Sequence, residues 1–156
     1  MVMVRIDVGA GKHPKEGYLS VDAYADADIE AEMWDLPFED GEVTAIYSSH
    51  ALEHIPKAMI MPTLKEWFRV LQKGGTVEVR VPDLRWVCRN WLEKQTNDWH
   101  MDAIFGNQTD EGQFHKTGYT PDLLRRYLEQ AGFEVTGEGI IWSHNQDTLV
   151  AYARKP

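Results

Sequence analysis

The chain has 156 residues, 43% hydrophobic and 26% charged, with a formal net charge of -9. That size and balance fit one globular domain that buries roughly 70% of its unfolded surface. The acidity argues against a protein living on bulk nucleic-acid phosphate, and a single cysteine, Cys88, excludes an internal disulfide framework and a cysteine-cluster metal site.

In chain order, the first expected strand covers 2–8 and ends in the turn Gly9-Ala10-Gly11. Further strands are expected at 18–22, 29–33 and 43–49. A helix starting near Pro62 carries Leu64, Trp67, Phe68 and Leu71 and should stop at Gly74-Gly75. A strand at 76–82 follows. The stripe Leu84, Val87, Cys88, Trp91, Leu92 has the spacing of a helix facing the core, which makes Cys88 a buried structural thiol. Thr120 should cap a helix that has Pro121 in its first turn, Leu124, Tyr127, Leu128 and Ala131 on its inner face, and Gly132 after its end. Strands at 133–141 and 147–154 should form an antiparallel hairpin around Ser143-His144-Asn145.

Strands alternating with helices imply an α/β fold with a parallel sheet. The whole of 1–156 reads as one domain with one insertion at about 94–119, a polar stretch holding Trp99, Phe105 and Phe114. A structureless run of that length is usually functional. Its Trp99, Phe114, His115 and Tyr119 offer the surfaces of an acceptor pocket, so it is expected to act as a lid or wall. No charged-then-apolar leader opens the chain and no apolar run reaches membrane-spanning length, so a cytoplasmic protein is expected.

The chemistry begins at the first turn. Gly9 and Gly11 let the backbone bend sharply and approach a ligand closely. Asp22, at the end of the next strand, sits where a ribose would offer its hydroxyls. The pair points to a nucleoside-bearing cofactor. Too few residues separate the first three strands for ordinary crossover helices, and the expected strands alternate apolar with polar residues. One sheet face should therefore be partly bare, either solvated or used in a homodimer. The six histidines show no His-Glu-x-x-His spacing, and no metal site is expected.

Three further segments fall at strand ends: Trp34-Asp35-Leu36-Pro37-Phe38, Ser49-His50-Ala51-Leu52-Glu53-His54, and Arg69-Val70-Leu71-Gln72-Lys73-Gly74-Gly75. In this order and spacing the chain resembles the class I S-adenosylmethionine-dependent methyltransferases, and in particular small members of the methyltransferase type 11 kind. The resemblance implies a Rossmann-like sheet of order 3-2-1-4-5-7-6, with strand 7 antiparallel and the first crossovers shortened. It implies S-adenosyl-L-methionine as cofactor, S-adenosyl-L-homocysteine as product and a small-molecule acceptor. Gly9, Ala10 and Gly11 would wrap the methionine and ribose, with Asp7 near the amino group and Asp22 on the ribose. Asp35 and the Leu36 backbone would meet the adenine, and Ser49 would stand beside the methionine. His50 and His115 are the candidate bases, while His54 reads as structural. Two alternatives stay open: a non-catalytic cofactor-binding or interaction module, and a nicotinamide-dependent oxidoreductase. The second fits less well, because Gly-x-Gly-x-x-Gly needs a glycine where Pro14 stands.

Overall fold

Alternation decides how the chain enters its sheet. In β1 (Val4–Val8), Ile6 and Val8 are fully buried while Arg5 is exposed. The computed structural model describes residues 3–94, 98–143 and 146–156. It adds β2 (Leu19–Asp22), β3 (Ile29–Glu30), β4 (Val43–Ser49), β5 (Leu71–Pro82), β6 (Glu134–Ser143) and β7 (Gln146–Arg154). The sheet order is β3-β2-β1-β4-β5-β7-β6, as expected. The pairs among β1 to β5 are parallel, and β7 runs antiparallel between β5 and β6. The turn expected at His144-Asn145 lies outside the described residues.

Helices α1 (Ile60–Val70) and α4 (Pro121–Gln130) cover one face, and α2 (Leu84–Lys94) and α3 (Trp99–Phe105) follow β5. In α1, Ile60, Thr63, Leu64, Trp67 and Val70 repeat at helical spacing and are all buried. They pack on the row Ile6, Val8, Ile46, Val77, Val79 and Val81. Thr120 caps α4 as expected, its hydroxyl accepting the Leu123 N–H at 3.4 Å. Phe68 and Phe133 meet edge to face, ring centroids 5.2 Å apart, where α1 meets the chain leaving α4.

The second face has little helical cover. Arg5, Tyr47, Glu78 and Arg80 belong to this row by register. Lys15 lies 3.8 Å from the Tyr47 ring centroid, Arg5 stacks over Tyr18, and Arg80 stacks over Tyr47 while pairing with Glu78. Long cationic side chains thus lie flat on aromatic rings where a helix would otherwise sit. Near β7 this face is covered: α2 packs there, and Val150, register partner of Arg80, is buried.

Four expectations need correcting. The helix before β5 ends at Val70, and Leu71 already pairs with Val43. Gly74 and Gly75 sit inside β5, where the register slips between Val43 and Ala45; Gly74 has φ 77° and forms part of a bulge. The third strand is only two residues long, because the chain turns through the bond from the Asp35 N–H to the Glu32 carbonyl. The α2 stripe is not core: Val87 is buried, Cys88 is half-buried, and Trp91 and Leu92 are exposed. Finally, the expected structureless run is ordered over its described residues 98–119. It contains α3 and a 3-10 turn at Glu111–Gln113, and it ends with Tyr119 bridged to Asp83. Among the described residues no helix is long and apolar enough to cross a membrane.

Candidate functional site

The carboxyl ends of β1, β2 and β4 meet at one edge, where open α/β sheets bind ligands. Both turn glycines have positive φ, 72° at Gly9 and 58° at Gly11, yet they differ in what surrounds them. A Cβ on Gly9 would collide with the Ala51 side chain, so Gly9 is required by packing. A Cβ on Gly11 would meet nothing within 4 Å. Gly11 therefore borders open space. Its N–H donates to Asp22 Oδ2 at 2.9 Å, and Asp22 Oδ1 accepts the Tyr24 and Ala25 N–H groups at 2.8 Å each. A carboxylate offers about four acceptor positions, which leaves Asp22 roughly one for a ligand hydroxyl. Asp7 is buried and accepts the Lys15 N–H at 2.8 Å; burial pushes its carboxyl up, and Lys15 partly offsets this.

Beyond β3 lie the two residues expected at the adenine. Asp35 is exposed, and the Leu36 N–H is already donated to Glu66 Oε1 at 2.9 Å. The half-buried Glu32 is the acid in this region that interacts with Asp22. Burial first, and then the Asp22 charge, push its carboxyl up, while Lys116 pulls the other way. Met33 reaches the Gly9 position from the same stretch, its terminal methyl carbon 3.6 Å from where a Cβ would stand. Tyr24 touches the loop at Gly112. The 106–117 stretch thus returns to the cofactor edge of the sheet.

At the end of β4, Ser49 is half-buried and His50 adopts φ 52°, a left-handed conformation unusual for a non-glycine residue. Such strain often marks functional positions. The His50 N–H donates to the Arg80 carbonyl at 2.9 Å; its Nδ1 lies 3.4 Å from Glu53 Oε1 and its Nε2 3.3 Å from Thr148 Oγ1. Glu53 is 1% exposed. Burial pushes its carboxyl up, but His50, His54 and His115 together outweigh that and hold it below the ordinary value. Burial likewise holds the His115 imidazole low, with Glu53 working against it.

Backbone bonds stitch this turn to the 94–119 stretch. The Glu53 carbonyl accepts the Lys116 and Thr117 N–H groups at 2.7 and 3.2 Å, and the Leu52 carbonyl accepts the Tyr119 hydroxyl at 3.0 Å. Tyr119 is fully buried and its hydroxyl is pushed up by burial, so it is a packing residue. Trp99 packs against Trp86 and His100. Between β5 and this wall lies a cavity of about 220 Å³ lined by Glu53, Pro82, Leu84, Phe105, His115 and Tyr119 among others.

The family described as Methyltransferase domain matches residues 6–79, which hold the glycine turn, Asp22 and the His50–Glu53 turn. The chain has the fold of the class I methyltransferases. Among solved structures with this methyltransferase fold is a S-adenosylmethionine-dependent methyltransferase from Methanosarcina mazei. It is 16% identical with a TM-score of 0.70, the match covering 97% of this chain and 91% of that one. Another is the Burkholderia thailandensis 1,6-didemethyltoxoflavin-N1-methyltransferase with bound 1,6-didemethyltoxoflavin and S-adenosylhomocysteine. It is 16% identical with a TM-score of 0.71, covering 97% of this chain and 70% of that one. A third comes from the complex between the Haloferax volcanii Trm112 methyltransferase activator and a methyltransferase. It is 18% identical with a TM-score of 0.66, covering 99% and 84%. No curated protein sequence matches the chain significantly.

The methyltransferase sheet also disfavours the nicotinamide reading, since dinucleotide folds have the order 3-2-1-4-5-6. On this methyltransferase frame Gly9, Ala10, Gly11 and Asp22 come together at one edge, with Ser49 and His50 at the neighbouring strand end. Glu32, Glu53 and His54 were missed as site residues. The only signal for Glu32 was a second acid two residues beyond Glu30, and nothing in the spacing brings Glu53 and His54 to His115.

Proposed function

We propose that the protein binds S-adenosyl-L-methionine across the ends of β1 and β2 and transfers its methyl group to a small acceptor. The observation that carries this reading is Gly11: positive φ, open space where a side chain would stand, and a direct bond to Asp22 at the end of β2. The methyltransferase match and the homocysteine product bound in the Burkholderia relative support the choice of cofactor. In this assignment Gly9, Ala10 and Gly11 border the methionine and ribose, Asp22 takes a ribose hydroxyl, and Asp7 neighbours the amino group. Asp35 and the Leu36 backbone stand on the adenine side with Glu32 beside them, the Leu36 N–H being shared with Glu66.

Bound there, the cofactor supplies an electrophilic methyl on a sulfonium, and its displacement leaves S-adenosyl-L-homocysteine. The chain's part is alignment and proton removal. Ser49 and His50 stand at the methyl end. His50 faces Glu53 through Nδ1 at 3.4 Å and the Thr148 hydroxyl through Nε2 at 3.3 Å, so a proton taken from the acceptor at Nε2 displaces the Thr148 contact. His115 lines the neighbouring cavity, whose size suits a metabolite, and the net charge of -9 disfavours nucleic acid. The second face, rich in paired charges, favours a solvated surface over a homodimer.

Calorimetry on dialysed protein tests the cofactor: saturable binding of S-adenosyl-L-homocysteine is expected, and its absence rejects the proposal. A panel of amines and hydroxyl compounds then tests turnover. A non-catalytic cofactor-binding module is the second reading, favoured by the three backbone bonds that already occupy Asp22. Binding without product across the panel selects it.

A further inference from the structure

We propose that Glu53, His54 and His115 form a site for one divalent transition-metal ion of the zinc class. One ligand atom from each lies within 4.8 Å of the others, and the three come from the turn after β4 and from the 94–119 wall. The inference is independent of methyl transfer.

The imidazoles are oriented for the task. His54 Nδ1 lies 3.1 Å from the Phe114 carbonyl and His115 Nδ1 lies 2.9 Å from the Ala103 carbonyl. A carbonyl only accepts, so each bond places the proton on Nδ1 and leaves the Nε2 lone pair for a ligand. Backbone carbonyls in this role are the usual outer support of a metal-binding histidine. The rings stand 4.8 Å apart at 74°, so they do not stack face to face.

The carboxylate is the second observation. Glu53 is 1% exposed; its nearest partner, His50 Nδ1, lies 3.4 Å from Oε1, and neither oxygen has a hydrogen bond of good geometry. A buried carboxylate left so costs stability unless a cation meets it. His54 Nε2, 4.0 Å from Glu53 Oε1, is too far for a hydrogen bond, but an ion can lie between the two. Zinc–ligand bonds of about 2.0–2.2 Å put the ligand atoms of a tetrahedral site roughly 3.3 Å apart. Small side-chain rotations close the difference. Two imidazoles and one carboxylate are the donor set of open zinc sites. The 220 Å³ cavity beside Glu53 and His115 gives a fourth position room for water or an acceptor atom. On this assignment His115 holds the ion and is not itself the proton acceptor.

The test uses the full chain, freed of metal with a chelator and titrated with zinc chloride against a chromophoric competitor. One ion per chain is expected. His54→Asn and His115→Asn should each weaken binding by more than about a hundredfold, beyond what loss of an outer-shell partner costs. His13→Ala, which removes an exposed histidine, should leave affinity unchanged. Cobalt chloride should give visible bands that the His115→Asn variant lacks. Glu53→Gln is added only if circular dichroism shows it folded. Absence of stoichiometric binding, or equal affinity in the wild type and both histidine variants, overturns the proposal. S-adenosyl-L-homocysteine binding measured on metal-free protein keeps the cofactor reading separate from this result.

Discussion

The Gly11 N–H and the Asp22 carboxylate are joined by a 2.9 Å hydrogen bond across the ends of β1 and β2. Asp22 therefore holds the glycine turn in shape, in addition to the ribose contact proposed for it. Asp22→Ala removes the acceptor of three backbone N–H groups together with one ribose contact. Cofactor affinity should fall roughly ten- to a hundredfold, and stability by about 1–3 kcal/mol. Calorimetry with S-adenosyl-L-homocysteine and a thermal melt read the two effects separately. An unchanged dissociation constant removes Asp22 from the ribose.

The two glycines should separate fold from binding. Gly9→Ala forces a left-handed alanine against Ala51 and should cost roughly 2–4 kcal/mol. Gly11→Val faces no protein atom, so its cost should stay near the backbone penalty of about 1–2 kcal/mol while cofactor binding is lost. Equal cofactor affinity in wild type and Gly11→Val would show that the open space is not the ligand's.

Acid should attack the link between α1 and the chain after β3. Glu66 accepts the Leu36 N–H and pairs with Arg69 at 2.7 Å; the Arg69 bond is the main reason its carboxyl lies below the usual 4.5. A carboxyl lowered on folding adds stability that is complete above its unfolded value and is lost as pH falls through its folded one. Glu66→Gln should cost about 1 kcal/mol at pH 7, the pair being partly exposed. The gap between wild-type and variant melting temperatures should shrink below pH 4.5. A gap independent of pH refutes the linkage.

The stretch 106–113 should behave as a lid. A Cβ on Gly112 would lie 3.4 Å from Tyr24, and the hydrogen bonds of the stretch are mostly local, such as Gly112 N–H to Asp110 at 3.0 Å. Hydrogen exchange should slow there when S-adenosyl-L-homocysteine is added. Equal exchange with and without the ligand would make the stretch a fixed cover.

Sheet order and strand direction were legible because local signals agreed with them: a glycine turn after β1, helices before β5 and β6, and a closing pair of long strands. The boundary at Val70 was not. Gly74-Gly75 looks like a helix stop, yet Lys155 Nζ donates to the Phe68 and Leu71 carbonyls at 2.7 and 2.8 Å, so the C-terminal residues meet the groups where α1 ends. The α2 stripe misled for another reason: periodicity reports an apolar face but not whether anything packs on it. The bond from the Leu36 N–H to Glu66 was not legible, because Glu66 lies on another element. The grouping of Glu53, His54 and His115 depends on the wall folding back, which no window of sequence contains.

The missing crossover helices also bear on how the chain finds its fold. Ile6 pairs with Leu19 and Val21 with Ile29, so the first three strands meet across short loops. Parallel strands ordinarily close long loops before any contact rewards them, and that search slows folding. Here the flat-lying cations and aromatic rings replace the helices that would lengthen those loops. The β1–β2–β3 edge is consequently the most local region of the parallel sheet, with only the antiparallel β6–β7 pair closing a shorter loop.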